Sequence, residues 1–232
     1  MAQYTTAYSS LILQLDEVET LRRMASEKAK AEPISKAGEI NALCRSAVVL
    51  LSAHLEAYVR ELGEVALDSI YAKSVHRDSI SPRFYYHLSK DVLAEVRDTA
   101  DHDRLAEKVF GFIDRDLSAW SRTGPFPDPL PSERFNQGFA NPSFGKVKAY
   151  LNRFGCSRYQ QGLAAALQAD YQPTINMIDH LVDTRNKIAH GDPTATKTPA
   201  EVQAMTETVR LFCRTTDQVF ASWCKNELCA IR

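Results

Sequence analysis

Several features are missing from this chain, and each absence closes a class of function. There is no Gly-x-Gly-x-x-Gly run and no Gly-x4-Gly-Lys-Ser/Thr loop, so a glycine cradle for nucleotide phosphates is not available. The Gly-x-Ser-x-Gly elbow of serine hydrolases is missing too. Cysteine is sparse. Cys44, Cys156, Cys213, Cys224 and Cys229 make an odd five with no Cys-x-x-Cys pair. That pattern argues against a disulfide framework and a tetrahedral zinc site, and reads as buried thiols in a reducing compartment. Neither sign of charge dominates: the formal net charge is -1, so any case for nucleic acid must rest on a local patch.

Long hydrophobic runs are absent as well. The longest, "AVVLL" at Ala47 to Leu51, is far too short to span a bilayer. The opening "MAQYTTAYSS" lacks the basic-then-apolar layout of a signal peptide. The expectation is a cytoplasmic protein with no membrane partner. Sustained two-residue alternation is missing, so strands are not expected.

What is present is helical periodicity. Tyr4, Tyr8, Leu11, Leu15, Val18, Leu21 and Ala25 share one face of a first helix, which Pro33 ends. Ser35 is the expected N-cap of a long second helix whose stripe runs from Ile40 through Leu43, Ala47, Leu51, His54, Tyr58 and Leu62. A turn at Ser81-Pro82 opens a third helix. Leu105, Val109, Phe112, Ile113 and Leu117 mark the stripe of a fourth. From Asp91 to Asp116 there are eight acids and four bases, giving this pair an acidic outer face. His76, His87, His102 and His180 show no ligand spacing and are read as surface residues.

Between Thr123 and Gly145 the composition shifts, with four prolines packed into 125–131. This predicts a loop-rich insertion at about 122–145. From Arg134 to Ala169 no acid occurs. Arg134, Lys146, Lys148, Arg153 and Arg158 interleave there with Phe135, Phe139, Phe144, Tyr150, Phe154 and Tyr159. Such a segment either neutralises phosphates and stacks bases, or is a core with a solvated basic rim. A helix then runs through "QPTINMIDHLVDTRNKIAH" to a stop at Gly191. A capping box at Thr198 and Glu201 starts the last one. The fold class is all-α, an antiparallel helical bundle, and 232 residues fit a single domain over 1–232.

"TRNKIAHGD" at Thr184 to Asp192 carries the chemistry. Arg185 stands where the stripe calls for a hydrophobe, so it either pairs internally, with Glu56 or Glu61, or lines a cavity. His190 sits at a helix C-terminus, facing unsatisfied carbonyls, an environment that suits a proton donor. The plain alternative is a helix end charged to suit its dipole. Five residues rotate by about 140°, so the two converge only if His190 swings across the helix tip. RNA cleavage needs a base, an acid and a cation, and needs no metal or other cofactor. Two copies across a two-fold axis would supply two histidines and two arginines, a physical reason to expect a homodimer.

"RNKIAHG" resembles the Arg-x4-His signature of the HEPN superfamily (higher eukaryotes and prokaryotes nucleotide-binding). These are helical bundles that include metal-independent endoribonucleases. "AVVLLSAHLEAYVREL" and "NPSFGKVKAYLNRFG" are similar to the early helix and Asn-Pro-led segment of its RiboL-PSP type. The resemblance implies a HEPN-like bundle in which Arg185 and His190 are catalytic. It places Asn186 near the phosphate and has Glu56 orient Arg185. Lys187, Lys146, Lys148 and Arg153 are the expected RNA-binding cations. The implied partners are RNA, a second copy and an antitoxin or defence-system component. The implied role is that of a toxin-type or defence effector. The alternative is a non-catalytic dimer binding RNA, nucleotide or a partner protein. Members regulated by an adenylylating antitoxin carry a tyrosine two residues after the histidine, where this chain has Asp192.

Overall fold

The computed structural model describes residues 4–232. Among them nine α-helices and two short 3-10 turns occur, and no strand. Helix α1 (Thr6–Ala31) is capped by Thr5, whose hydroxyl accepts from Tyr8 N and donates to the buried Asp217 carboxylate. Its buried face is Ala7, Tyr8, Leu11, Leu15, Val18 and Ala25, nearly the stripe expected. Helix α2 (Ala37–Ala72) is the central rod, about 54 Å long at the usual rise. Ser35 does not cap it. Its hydroxyl bonds Glu32 (2.7 Å), and the chain enters α2 through a turn in which Lys36 N bonds Glu32 O (3.1 Å). The N-cap position falls to Lys36, which makes no side-chain cap.

Helix α2 is buried over a wide arc because α1, α8 and α9 all pack on it. Among the described residues it alone is long and apolar enough by composition to cross a membrane, yet here it is the core helix. His54 lies buried on its stripe. Burial lowers its pKa, opposed by Glu17, whose carboxylate is 3.3 Å away. At Gly63 the core closes so tightly that a Cβ would fall 1.9 Å from the Tyr150 hydroxyl.

Helices α3 (Pro82–Arg97) and α4 (His102–Trp120) form a hairpin. Ser81 and Asp101 cap them by accepting from Arg83 N and Arg104 N. The expected α4 stripe divides. Leu105 and Phe112 are half-buried, but Val109, Ile113 and Leu117 are exposed, because α3 covers only part of the apolar arc. His87, expected on the surface, is half-buried on α3 against Phe135, with ring centroids 6.4 Å apart.

The crossing that follows contains only the short α5 (Ser132–Asn136), but it is pinned. Phe126, Leu130, Phe135 and Phe139 are buried, and Arg134 holds Asp116 at 2.9 Å. Helices α6 (Phe144–Leu151), α7 (Tyr159–Leu167), α8 (Tyr171–Ala189) and α9 (Pro199–Glu227) complete the bundle. Thr198 and Glu201 form the reciprocal capping box. The interleaved aromatics are core: Phe135, Phe144, Tyr150, Phe154 and Tyr159 are all buried, and Phe135 and Phe154 meet at 4.5 Å. All five cysteines are free thiols, four of them buried.

Candidate functional site

Helix α8 delivers Arg185 to a cleft of ≈ 310 Å³ against α2, whose other walls are Val49, Ser52, Ala53, Glu56, Ala57 and Arg60. Ala53 and Ala57 are small enough to leave room above the backbone, and the ends of the cleft are charged. Arg185 is half-buried, and its Nη1 donates to Asn186 Oδ1 at 3.2 Å. Among the described residues no carboxylate pairs with it.

Glu56 and Arg185 share the cleft but are not bonded. Glu56 accepts from Asn141 N (2.9 Å) and pairs with Arg60 (3.1 Å), so the implied orienting role is not what the geometry displays. The other internal candidate, Glu61, accepts from Ser10 at 2.9 Å. Arg60 in turn donates to Phe139 O (2.7 Å), and Glu64 accepts from Asn136 Nδ2 (2.7 Å). Glu56, Arg60 and Glu64 stand one helical turn apart and hold Asn141, Phe139 and Asn136 in reverse order. This ladder seats the irregular crossing along α2 and forms one edge of the cleft. Tyr150 extends it by donating to Asn136 Oδ1.

Helix α8 ends in a Schellman motif. Gly191 N bonds Ile188 O (3.1 Å) and Asp192 N bonds Lys187 O (3.0 Å), with Gly191 at φ 76°. A left-handed residue is needed there, and glycine supplies it without strain. The reversal falls after His190, whose φ of -85° and ψ of 7° and bond from its N–H to Asn186 O (3.0 Å) keep it on the helical ramp. His190 therefore does not swing across the tip. It stays about 140° around the axis from Arg185, exposed, while Arg185 faces the cleft. A single protomer does not bring the two side chains to one point.

The remaining expected residues are dispersed. Lys187 is exposed beside His190. Lys146 donates to Ala140 O (2.8 Å), next to the Asn141 that Glu56 holds, so it sits near the ladder edge of the cleft. Lys148 bonds Gln160 Oε1 at 3.1 Å. Arg153 is turned inward: it donates to Phe135 O and Gln137 O and lies 5.0 Å from the Tyr150 ring centre.

Three residues of the site lay outside the sequence reading. Arg60 completes the cleft's charge. Arg45 reaches Asp192 O (3.4 Å) and steadies the turn after His190. Asp179 of α8 accepts from Phe144 N (2.8 Å), capping α6 where Ser143 makes no side-chain cap. Only Arg60 leaves a trace in sequence, as the middle of an alternating Glu-Arg-Glu series at four-residue spacing. Asp192 accepts from the hydroxyl and N–H of Thr194, and those bonds hold its carboxyl below the usual range. Among the described residues no group of three or more His, Cys, Asp or Glu side chains is placed so that it could hold a metal ion.

No curated protein and no solved structure matches the chain. The RiboL-PSP-HEPN family model does, over residues 12–222, a span that runs from α1 into α9 and takes in the whole cleft and the helix end beside it; the chain belongs to that family of HEPN-type domains.

Proposed function

We propose that the chain is a metal-independent endoribonuclease that works as a homodimer, a single HEPN-type unit acting in the cytoplasm as a defence or toxin-type effector. HEPN-type domains commonly bind RNA and dimerise. In the reaction a base takes the 2′-hydroxyl proton and the O2′–P bond forms. The P–O5′ bond breaks, and an acid protonates the departing oxygen, leaving a 2′,3′-cyclic phosphate. His190, exposed and without a side-chain partner among the described residues, is the proton-transfer group. Arg185, with Asn186 beside it, meets the phosphate, and Lys187 adds charge at the rim.

The observation that carries this reading is a half-buried arginine that opens into a cleft with no carboxylate paired to it among the described residues. Such a group is costly unless an anion comes to it, and a phosphate matches its fork of donors. Glu56 does not fill that place, because its charge is taken by Arg60 and Asn141 N. The divergence of Arg185 and His190 within one protomer supports a site completed by a second copy.

A second reading, a non-catalytic RNA-, nucleotide- or protein-binding dimer, is favoured by the internal acceptors that already satisfy Lys146, Lys148 and Arg153. Cleavage of mixed-sequence RNA in EDTA by wild type and His190→Ala separates the two. The nuclease reading expects cyclic phosphate ends from wild type and a loss of about 10²–10⁴-fold in the variant. Folding should be unaffected, because an exposed side chain of this kind contributes within about 0.5 kcal/mol. If neither protein cleaves at high concentration with the dimer verified, the binding reading stands.

A further inference from the structure

Helix α4 carries more apolar surface than its neighbour covers. Phe110 is 71% exposed, Leu117 52%, Ile113 47% and Val109 37%. At helical spacing these four lie within about 100° of one another and form one stripe over roughly two turns. Apolar side chains exposed singly are ordinary, whereas a contiguous group marks a contact surface. Along the solvent edge of the stripe Asp103, Glu107 and Asp114 stand in a row, within about 40° around the axis. No ion pair among the described residues engages any of the three. Two nearby cations are engaged elsewhere: Lys108 by Glu95 at 3.7 Å and Arg97 by Asp98 at 2.8 Å.

We propose that this face docks a cationic amphipathic helix of a partner protein, whose apolar residues cover the α4 stripe while its lysines or arginines meet the carboxylate row. Charge decides the occupant. Nucleic acid and anionic lipid headgroups would bring negative charge against these three carboxylates. A second copy packed stripe to stripe would set acid beside acid. The chain's own C-terminus is engaged elsewhere, since Ile231 is buried and Lys73 holds Ala230 O. The walls of the Arg185 cleft come from α2 and α8, not from α3 or α4, and the inference is independent of the nuclease reading.

The test uses the full chain and two labelled amphipathic peptides, one Leu/Lys and one Leu/Glu, followed by fluorescence anisotropy. The Leu/Lys peptide should bind at least about tenfold more tightly. Phe110→Ser with Leu117→Ser should remove that binding, and Glu107→Lys with Asp114→Lys should reverse the preference. All four positions are exposed, and unchanged circular dichroism would verify the fold. Equal binding of both peptides, or full binding by the Phe110→Ser/Leu117→Ser variant, overturns the proposal. So does sedimentation showing that this variant turns a self-associated wild type into monomers, or wild type binding anionic vesicles through the stripe.

Discussion

Acid should weaken the fold through His87. The ring is half-buried between Tyr86 and Phe135, and its Nδ1 is buried without a hydrogen-bond partner among the described residues. Burial is the largest cause of its depressed pKa, and the cations Arg153, Lys90 and Arg83 add to it, taking the value from 6.5 to about 4. The unfolded chain therefore takes up a proton near pH 6.5 that the folded chain refuses until about pH 4. Stability from this group is fully present above pH 6.5, falls through that window and is lost below it. At about 1.36 kcal/mol per pH unit the full difference is about 3.4 kcal/mol, and solvent reaching a half-buried ring brings it to about 2 kcal/mol. His54 titrates with the same sign, so acid sensitivity will not vanish when His87 is replaced. The clean quantity is the difference between wild type and His87→Phe in urea unfolding at pH 7, 5.5 and 4. Wild type should lose about 2 kcal/mol more than the variant across that range. Parallel pH profiles for the two proteins would refute the account of His87.

Two substitutions test the packing that positions the cleft. Thr5→Ala removes the α1 cap and a hydrogen-bond donor to the buried Asp217, and should cost about 2–3 kcal/mol in urea unfolding. Gly63→Ala drives a methyl into Tyr150; overpacking of about 1–3 kcal/mol against a helix-propensity gain of about 1 kcal/mol leaves a net loss of roughly 1–2 kcal/mol. Tyr150→Phe in the same chain should make the pair less than additive, read from the same melts.

What could be read from sequence was whatever is local. Pro33, Ser81-Pro82, Gly191 and the Thr198–Glu201 box act through neighbouring backbone, and each helix boundary they imply is present. The Arg-x4-His segment was legible for the same reason. The misreadings share a different cause. A helical period says which residues share a face but not how much of that face another element covers, so Val109, Ile113 and Leu117 read as core. His87 gains its character first from burial, against Phe135 among others, with Arg153 adding to it, and both partners are distant in sequence. The sequence left the cations of the acid-free segment open between phosphate contact and a basic rim, because their acceptors in the fold are mainly backbone carbonyls, which no composition reveals. Ser35 had the right chemistry for a cap, but Glu32 lies closer to its hydroxyl than any helical N–H.

The ladder along α2 gives Glu56 a role different from the one the resemblance implied, and the two can be separated. If Glu56 mainly seats the crossing, its loss acts first on the backbone at Asn141, whose N–H it accepts at 2.9 Å. A hydrogen bond to a charged group contributes about 1.5–3 kcal/mol, so Glu56→Ala should speed exchange of the Asn141 amide by about 10- to 150-fold. Amides in the middle of α9 should be unchanged, because the opening is local. Glu56→Gln keeps an acceptor and should recover much of the protection. Arg185→Ala, which removes no rung, should leave Asn141 exchange as in wild type. If Glu56 instead acted through Arg185, the pattern would invert: Arg185→Ala would expose Asn141 as much as Glu56→Ala does. The cleft edge depends on this distinction, since the same carboxylate leaves Arg185 unpaired only while Arg60 and Asn141 occupy it.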